Sequence, residues 1–262
     1  RWLAVPDNQK ISITNDQDWD LPVGSVLVKT FSLAGKPVET RLFMHHNDGT
    51  WAGYTYEWNA QGTDAMRVSG GKTVNLGSQQ WIFPSEAQCL QCHTEGAGRT
   101  LGLTTAQLNG ALAYPSTGKT ANQVVTLNAI GLLAPPVTAD PSTLPVMPDP
   151  QGSASLSERA RAYLDVNCSQ CHRPGGGTPS SMDLRYATAL NSTGACNQAP
   201  RAGDLGIANA RLLAPGSSAT SLIIARANRR DAQGMPPVGS ARVDTEGVAL
   251  LSQWIDSLPG CN

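Results

Sequence analysis

Two copies of the pattern Cys-x-x-Cys-His constrain this chain more than any other feature. They read CLQCH from Cys89 to His93 and CSQCH from Cys168 to His172. Two thiols at this spacing reach the two vinyl groups of a heme, and the adjacent imidazole becomes a ligand of its iron. The pattern therefore predicts two covalently bound heme c groups. Their predicted attachment residues are Cys89, Cys92, Cys168 and Cys171, and their predicted iron ligands are His93 and His172.

Other uses of paired cysteines fit the spacing less well. A zinc site normally has its Cys-x-x-Cys pairs about 15 to 20 residues apart. Here the pairs begin at positions 89 and 168, and a His directly follows each of them. A thioredoxin-like redox motif would explain one pair and would leave the repeated His unexplained. Heme is the leading prediction, with zinc and redox motifs as the alternatives.

A second ligand from the protein, the sixth ligand of the iron, would complete the coordination of each heme. A thioether in that position raises the reduction potential of the iron relative to a nitrogen donor. For the second heme the candidate is Met235, because Gly234-Met-Pro-Pro predicts a stiff loop that could aim the sulfur. Met182 is the fallback, although it follows His172 closely. A methionine that only fills a gap in the core is the alternative.

The distal position of the first heme is less defined by the sequence. Met147-Pro148 repeats the Met-Pro pattern of the second site and makes Met147 a weak candidate. His46, or its neighbour His45, is the weaker alternative, since either could reach a heme packed against a sheet. An iron without a distal ligand from the protein is the third alternative.

Charge and hydropathy give no sign of a nucleic-acid or membrane partner. The formal net charge is −1, with acids and bases interspersed, so no strongly basic face is expected. No run approaches the roughly 18 apolar residues of a spanning helix. We expect a processed chain or a fragment, located in the periplasm or outside the cell, with its signal peptide removed.

Two further cysteines, Cys196 and Cys261, stand apart from the paired ones. They could form a disulfide that closes a long C-terminal loop, which would persist only in an oxidising compartment. Two inert buried thiols are the alternative.

The pattern of the chain predicts an α+β protein in three parts. Residues 1–85 alternate apolar and polar positions between turn signals, which predicts an antiparallel β-rich domain. Residues 86–150 predict a first heme-binding segment of short helices followed by a Pro-rich linker. Residues 151–262 predict an all-α cytochrome c domain with the second heme, in which Ser155-x-x-Glu158 and Asp244 begin helices.

Three smaller motifs have both a functional and a structural interpretation. Gly175-Gly-Gly lacks a phosphate-loop context and predicts backbone passing close to a heme edge. Arg226, Arg229 and Arg230 could pair with heme propionates or steer an acidic partner, but a solvated helix end is favoured. The aromatic residues of Tyr54-x-Tyr-x-Trp58 could bind a sugar, but an aromatic β core is more common.

Several segments resemble a family of bacterial diheme c-type cytochromes. They are DLPVGSVLVKT from Asp20, ETRL from Glu39, WAGYTYEW from Trp51, PSEAQCLQCH from Pro84 and GMPP from Gly234. The resemblance covers nearly the whole chain. In this family the region occurs alone or joined behind a propeller-type sugar dehydrogenase that uses pyrroloquinoline quinone (PQQ). The resemblance therefore implies a redox partner protein, such as a PQQ-dependent dehydrogenase, that supplies electrons.

The function predicted from these features is electron transfer without substrate chemistry. A diheme peroxidase also needs two such motifs, but it requires one open or displaceable distal site and an acid/base residue beside it. A heme-bearing subunit of an extracellular conductive assembly and a heme-based gas sensor are further alternatives.

Overall fold

A computed structural model describes residues 1–14 and 17–262 of the chain. The strands in that part are β1 (Trp2–Ala4), β2 (Ser12–Ile13), β3 (Trp19–Asp20), β4 (Val26–Leu33), β5 (Lys36–His45), β6 (Trp51–Trp58), β7 (Ala65–Val68), β8 (Lys72–Leu76), β9 (Gln79–Phe83), β10 (Ala111–Tyr114) and β11 (Lys119–Asn122). The helices are α1 (Glu86–Cys92), α2 (Thr105–Leu108), α3 (Gln123–Ala129), α4 (Leu156–Cys168), α5 (Leu222–Ala227) and α6 (Thr245–Ser257).

The chain divides into two compact units that do not follow the sequence order. Unit one consists of Arg1–Gly71 and Ser85–Met147, and unit two consists of Lys72–Pro84 and Pro148–Asn262. The hairpin β8–β9 therefore belongs to unit two, and the segment with the first Cys-x-x-Cys-His motif belongs with the N-terminal sheet. This division differs from the three consecutive ranges expected from the sequence.

The main sheet of unit one has five antiparallel strands in the order β1-β4-β5-β6-β7. Strands β4 and β5 join through a two-residue turn in which Ala34 and Gly35 both have positive φ. Such a turn suits the twist of paired strands. The strands lie where the alternation of apolar and polar residues predicts them.

The two faces of this sheet are not equivalent. One face, which we call the cysteine face, carries residues 39, 41, 43 and 45 of β5 and residues 51, 53, 55 and 57 of β6, because the register places each opposite its partner. Glu39, Phe43, Gly53 and Thr55 are buried on this face. The side chains of β6 on the other face, including Tyr54 and Trp58, are only partly buried. The expectation of an aromatic β core at these positions is therefore not met.

The core of unit one joins the first residues of the chain to the segment that ends at Met147. Ile11, Trp19 and Leu133 are almost fully buried and belong to one apolar cluster. The Trp19 indole donates to the Thr105 hydroxyl at 3.2 Å, which satisfies a polar group that would be costly to bury alone. The buried cluster thus positions α2 and the chain around it.

Unit two is built around α4 and α6. Gly247 of α6 lies against the ring of Tyr163, since a Cβ added there would come within 2.2 Å of that ring. The Tyr163 hydroxyl donates to Asp244 at 2.9 Å, and Asp244 caps α6. Leu164, Trp254 and other apolar residues fill the space between these helices.

The prediction of an all-α C-terminal cytochrome c domain is wrong. Unit two contains the β8–β9 hairpin, and residues 169–221 between α4 and α5 contain only short 3-10 turns as helical structure. Gly, Pro and Ser are frequent in this stretch, and they favour turns over helix. The described part of the chain is β-rich with six short helices, none long and apolar enough to cross a membrane.

Candidate heme-binding sites

The first motif lies at the end of α1. Ser85 caps this helix in a capping box with Gln88, which fixes where the helix begins. Cys89 and Cys92 are three residues apart and therefore lie on the same side of the helix. The backbone N–H of His93 donates to the Cys89 carbonyl at 3.0 Å. One helical turn thus presents two thiols and an imidazole together.

The second motif repeats this local arrangement at the end of α4. Ser155 and Glu158 form the capping box that the sequence predicts. The helix ends at Cys168, and the N–H of His172 donates to the Cys168 carbonyl at 2.9 Å. The same hydrogen bond therefore joins the first cysteine to the histidine in both motifs. Burial raises the pKa of Cys168 to about 12, so the protein alone holds this sulfur as a thiol.

The His93 ring is fixed by a backbone carbonyl. Its Nδ1 lies 2.5 Å from the carbonyl oxygen of Arg99, which can only accept, so Nδ1 carries the proton. Nε2 then keeps its lone pair, the form that ligates a metal. Burial lowers the pKa of His93, which favours this neutral form. Arg99 has φ near 59° and also donates to the His93 carbonyl at 3.1 Å.

The cysteine face of the sheet receives the first motif at a glycine. A Cβ added to Gly53 would lie 2.5 Å from the Cys89 sulfur, so no other residue fits there without a shift. Phe43, the cross-strand partner of Gly53, packs its ring on the His93 imidazole with 4.0 Å between centroids. A glycine inside a strand is itself a signal of close approach. That signal could have identified Gly53 from the sequence, whereas nothing in the sequence indicated Phe43 or Arg99.

The second imidazole is held differently. Burial lowers the pKa of His172, so it is also favoured as the neutral form. Its Nδ1 is buried without a hydrogen-bond partner, while its backbone carbonyl accepts from Leu184 at 2.9 Å. Gly176 passes close to the motif, since a Cβ there would lie 2.4 Å from the Cys171 carbonyl. The Gly-rich stretch therefore packs against the backbone of the motif.

The loop that carries Met235 is held by arginines. The N–H of Met235 donates to the carbonyl of Arg226 at 2.9 Å, and the Arg230 guanidinium donates to the carbonyl of Met235 at 3.1 Å. Arg226 also donates to the carbonyl of Gln233. The expectation of a merely solvated helix end at these arginines is wrong for Arg226 and Arg230, because both order this loop.

The side chains of Arg229 and Met182 have other partners in unit two. Arg229 forms an ion pair with Asp231. Met182 packs against the apolar cluster that Cys168 also contacts. Met182 is therefore in the same neighbourhood as the second motif, and its expected role as the fallback ligand stays a prediction.

The weaker candidates of the first site lie on separate features. Met147 is fixed by its N–H, which donates to the Ala106 carbonyl at 2.8 Å. His46 Nε2 is 2.9 Å from the hydroxyl of Tyr54, which projects from the face opposite the cysteine face. His45 is on the cysteine face, and its Nδ1 donates to the Leu21 carbonyl at 2.9 Å. The structure thus brings Cys89, Gly53, Phe43 and His93 together and puts His46 on another surface.

The structure joins Cys196 and Cys261 in a disulfide, with 5.8 Å between their Cα atoms. The predicted pairing is therefore confirmed. Cys89, Cys92, Cys168 and Cys171 take no part in a disulfide.

The description of the chain as metal-binding needs correction. In residues 1–14 and 17–262 no three His, Cys, Asp or Glu side chains are grouped so that they could hold a metal ion. The prediction of a metal site made of protein side chains alone, which includes the zinc alternative, is therefore wrong for the described residues. A heme takes only one or two iron ligands from the protein, and the neutral imidazoles and neighbouring thiols fit that demand.

Comparisons of the chain with protein-family models, with curated proteins and with solved structures found no match.

Proposed function

We propose that this chain is a diheme c-type cytochrome that relays single electrons and performs no substrate chemistry of its own. The observation that carries the proposal is a shared arrangement at both motifs. In each, the last turn of a capped helix carries the first cysteine, and the second cysteine and a histidine follow three and four residues later. The imidazole is partly buried and neutral, and the backbone N–H of the histidine donates to the carbonyl of the first cysteine. Thiols and a neutral imidazole are the groups that covalent heme attachment requires.

The residues of the two motifs have distinct roles in this proposal. Cys89, Cys92 and the corresponding pair in unit two would hold the porphyrin through thioether bonds, and His93 and His172 would ligate the iron. The bound heme would supply one-electron chemistry. The Met235 sulfur is the proposed distal ligand of the second heme, because Arg226 and Arg230 order its loop. Met147 remains the proposed distal ligand of the first.

The surroundings of the sites support an oxidising location and a protein partner. The Cys196–Cys261 disulfide favours the periplasm or the exterior of the cell. The resemblance to bacterial diheme cytochromes supports an electron donor such as a PQQ-dependent dehydrogenase. Electrons would pass from that donor through the two hemes to a downstream acceptor.

The first test is the covalent heme content and the ligation of each iron. The protein is produced in cells that attach heme c, and its mass and pyridine hemochrome spectrum are measured. Two hemes per chain are expected, with one lost when Cys89 and Cys92 are replaced by Ala. A chain that leaves these cells without covalent heme contradicts the proposal.

The second test separates electron transfer from peroxidase chemistry. Low-temperature EPR and near-infrared magnetic circular dichroism of the oxidised protein should show two low-spin hemes. The methionine charge-transfer signal should weaken in Met235→Ala and in Met147→Ala and persist in the control Met66→Ala, whose side chain is 73 % exposed. A high-spin heme that responds to peroxide would instead indicate a peroxidase.

A further inference from the structure

A column of four rings, each packed on the next, runs along the cysteine face of the main sheet. Its first ring is the His93 imidazole, 4.0 Å from the ring centroid of Phe43. Phe43 lies 5.0 Å from Trp51, and Trp51 lies 4.4 Å from His45. The planes of the last two pairs differ by only 18°, so these rings are stacked in parallel. The column therefore connects the first motif to the end of β5 without an aliphatic side chain between its rings.

The register of β5 and β6 builds the column. Residues two apart on a strand point to the same face, so Phe43 and His45 are neighbours on the cysteine face. Trp51 is the cross-strand partner of His45, and Gly53 is the partner of Phe43. The glycine admits Cys89, and this brings His93 onto the Phe43 ring. The same two strands thus position both the attachment cysteine and the rings that lead away from it.

The far end of the column reaches the protein surface at the β5–β6 hairpin. An open depression of about 470 Å³ lies there, lined by Gly24, Met44, His45, His46, Asn47 and Asp48. Gly24 reaches it from another part of the chain, since its N–H donates to the His45 carbonyl at 2.8 Å. Asn47 and Asp48 are exposed, while Phe43, the second ring of the column, is only 6 % exposed. The column therefore passes through a buried ring beside the motif and ends at His45, which lines the open depression.

We propose that this column couples the first heme to the β5–β6 hairpin, and that a one-electron redox protein docks on that hairpin to exchange electrons. The inference rests on the proposed function, because it requires heme at Cys89 and Cys92. A heme held by Cys89, Cys92 and His93 would supply the one-electron acceptor, and the reduced partner would be the electron donor, so one electron lost by the partner would balance one gained at the first site. No covalent bond forms or breaks, and no proton is transferred. Rings in contact shorten the gaps that the electron crosses between protein surface and iron.

The test uses a ruthenium polypyridyl photosensitiser attached to the heme-loaded protein. The label is attached to a cysteine introduced by Asn47→Cys at the hairpin. A matched control carries it at Ser116→Cys, an exposed position of the β10–β11 turn in the same unit. A flash reduces the heme from the label, and the rate is measured by heme absorbance. Each label is combined with Trp51→Leu and with Trp51→Phe.

The column predicts a specific pattern of rates. With the hairpin label, heme reduction should slow severalfold in Trp51→Leu and recover in Trp51→Phe, which restores a ring. With the control label, neither change at Trp51 should alter the rate. The proposal is overturned if, with the hairpin label, Trp51→Leu reduces the heme as fast as the protein that keeps Trp51. It is also overturned if Trp51→Leu slows heme reduction equally with both labels.

A second readout does not depend on heme reduction. When a soluble one-electron acceptor takes an electron from the excited hairpin label, the oxidised label should draw one electron from Trp51. A transient tryptophan-radical absorption is expected with the Asn47 label and should disappear in Trp51→Phe. Absence of this absorption contradicts contact between hairpin and column. Absence of covalent heme, by contrast, refutes the proposed function itself.

Discussion

Loss of the Cys196–Cys261 disulfide should destabilise unit two by an amount that follows from the loop it closes. The bond joins residues 65 positions apart. The chain-entropy relation for a loop of that length gives about 4 kcal/mol at 25 °C. Since a domain is typically stable by about 5–15 kcal/mol, the loss is a large share of the total. Cys196 is 6 % exposed and belongs to the main apolar cluster of unit two, so the bond ties the C-terminus to that core.

Urea unfolding of the heme-loaded protein measures this loss. With a slope of about 2 kcal/mol per molar urea, 4 kcal/mol corresponds to a midpoint roughly 2 M lower. The variants are Cys261→Ala, Cys196→Ala and the double variant, followed by circular dichroism and tryptophan fluorescence. Because every variant removes the same bond, the three losses should be similar and not additive.

A chemical control accompanies these variants. A thiol-free reductant should lower the midpoint of the unchanged protein by the same amount and leave Cys261→Ala unaffected, because thioether bonds to heme resist reduction. Losses below about 1 kcal/mol in all variants, or losses that add in the double variant, refute the reasoning from loop closure.

Three substitutions test the packing around the two motifs. Gly53→Ala should lower covalent heme content at the first site, measured by mass, because its Cβ would lie 2.5 Å from the Cys89 sulfur. Gly247→Ala should destabilise unit two by about 1–3 kcal/mol in urea, because its Cβ would enter the Tyr163 ring. Arg230→Gln should weaken the methionine charge-transfer signal on warming, because its guanidinium orders the proposed ligand loop.

Each of these substitutions has a matched control in the same unit. Gly110→Ala and Gly260→Ala add a Cβ that would meet nothing within 4 Å, so each should leave heme content and stability nearly unchanged. Arg229→Gln removes an exposed ion pair with Asp231, which contributes little to stability. A control variant and its test variant could show the same loss of heme content, stability or methionine charge-transfer signal. In that case neither the close contact nor the hydrogen bond from Arg230 to the Met235 loop is the cause of the loss.

Helix boundaries could be predicted from the sequence where the capping signal is local. Ser155 with Glu158 and Asp244 cap α4 and α6 as expected. Thr120-x-x-Gln123 also has the form of a capping box, which would predict a helix start at Thr120. That prediction is wrong, because Thr120 pairs with Ala113 in the β10–β11 hairpin and Asn122 caps α3 instead. A strand partner competes with a cap, and the capping pattern alone does not reveal it.

Long-range contacts could not be predicted from the sequence. The Pro-rich stretch looks like a linker, but up to Met147 it belongs to unit one. The Asn109 side chain donates to the carbonyls of Pro141, Leu144 and Pro145, which fixes that stretch. A side chain more than thirty residues away supplies these bonds, so composition could indicate only stiffness. The prediction of an all-α C-terminal domain is wrong for a related reason, because the β8–β9 hairpin joins unit two from far earlier in the chain.

The two imidazoles differ in a way that bears on the proposed electron transfer, namely on its direction. His93 donates through Nδ1 to the Arg99 carbonyl, whereas His172 has a buried Nδ1 without a partner. A hydrogen bond at Nδ1 makes an imidazole a stronger ligand, which stabilises the ferric iron and lowers its potential. If both sites bind heme as proposed and have similar distal ligands, electrons that enter at the first site should therefore pass to the second. A redox titration checks this, because Gly53→Ala should diminish the lower-potential wave. If it diminishes the higher-potential wave, the hydrogen bond to Arg99 does not set the order.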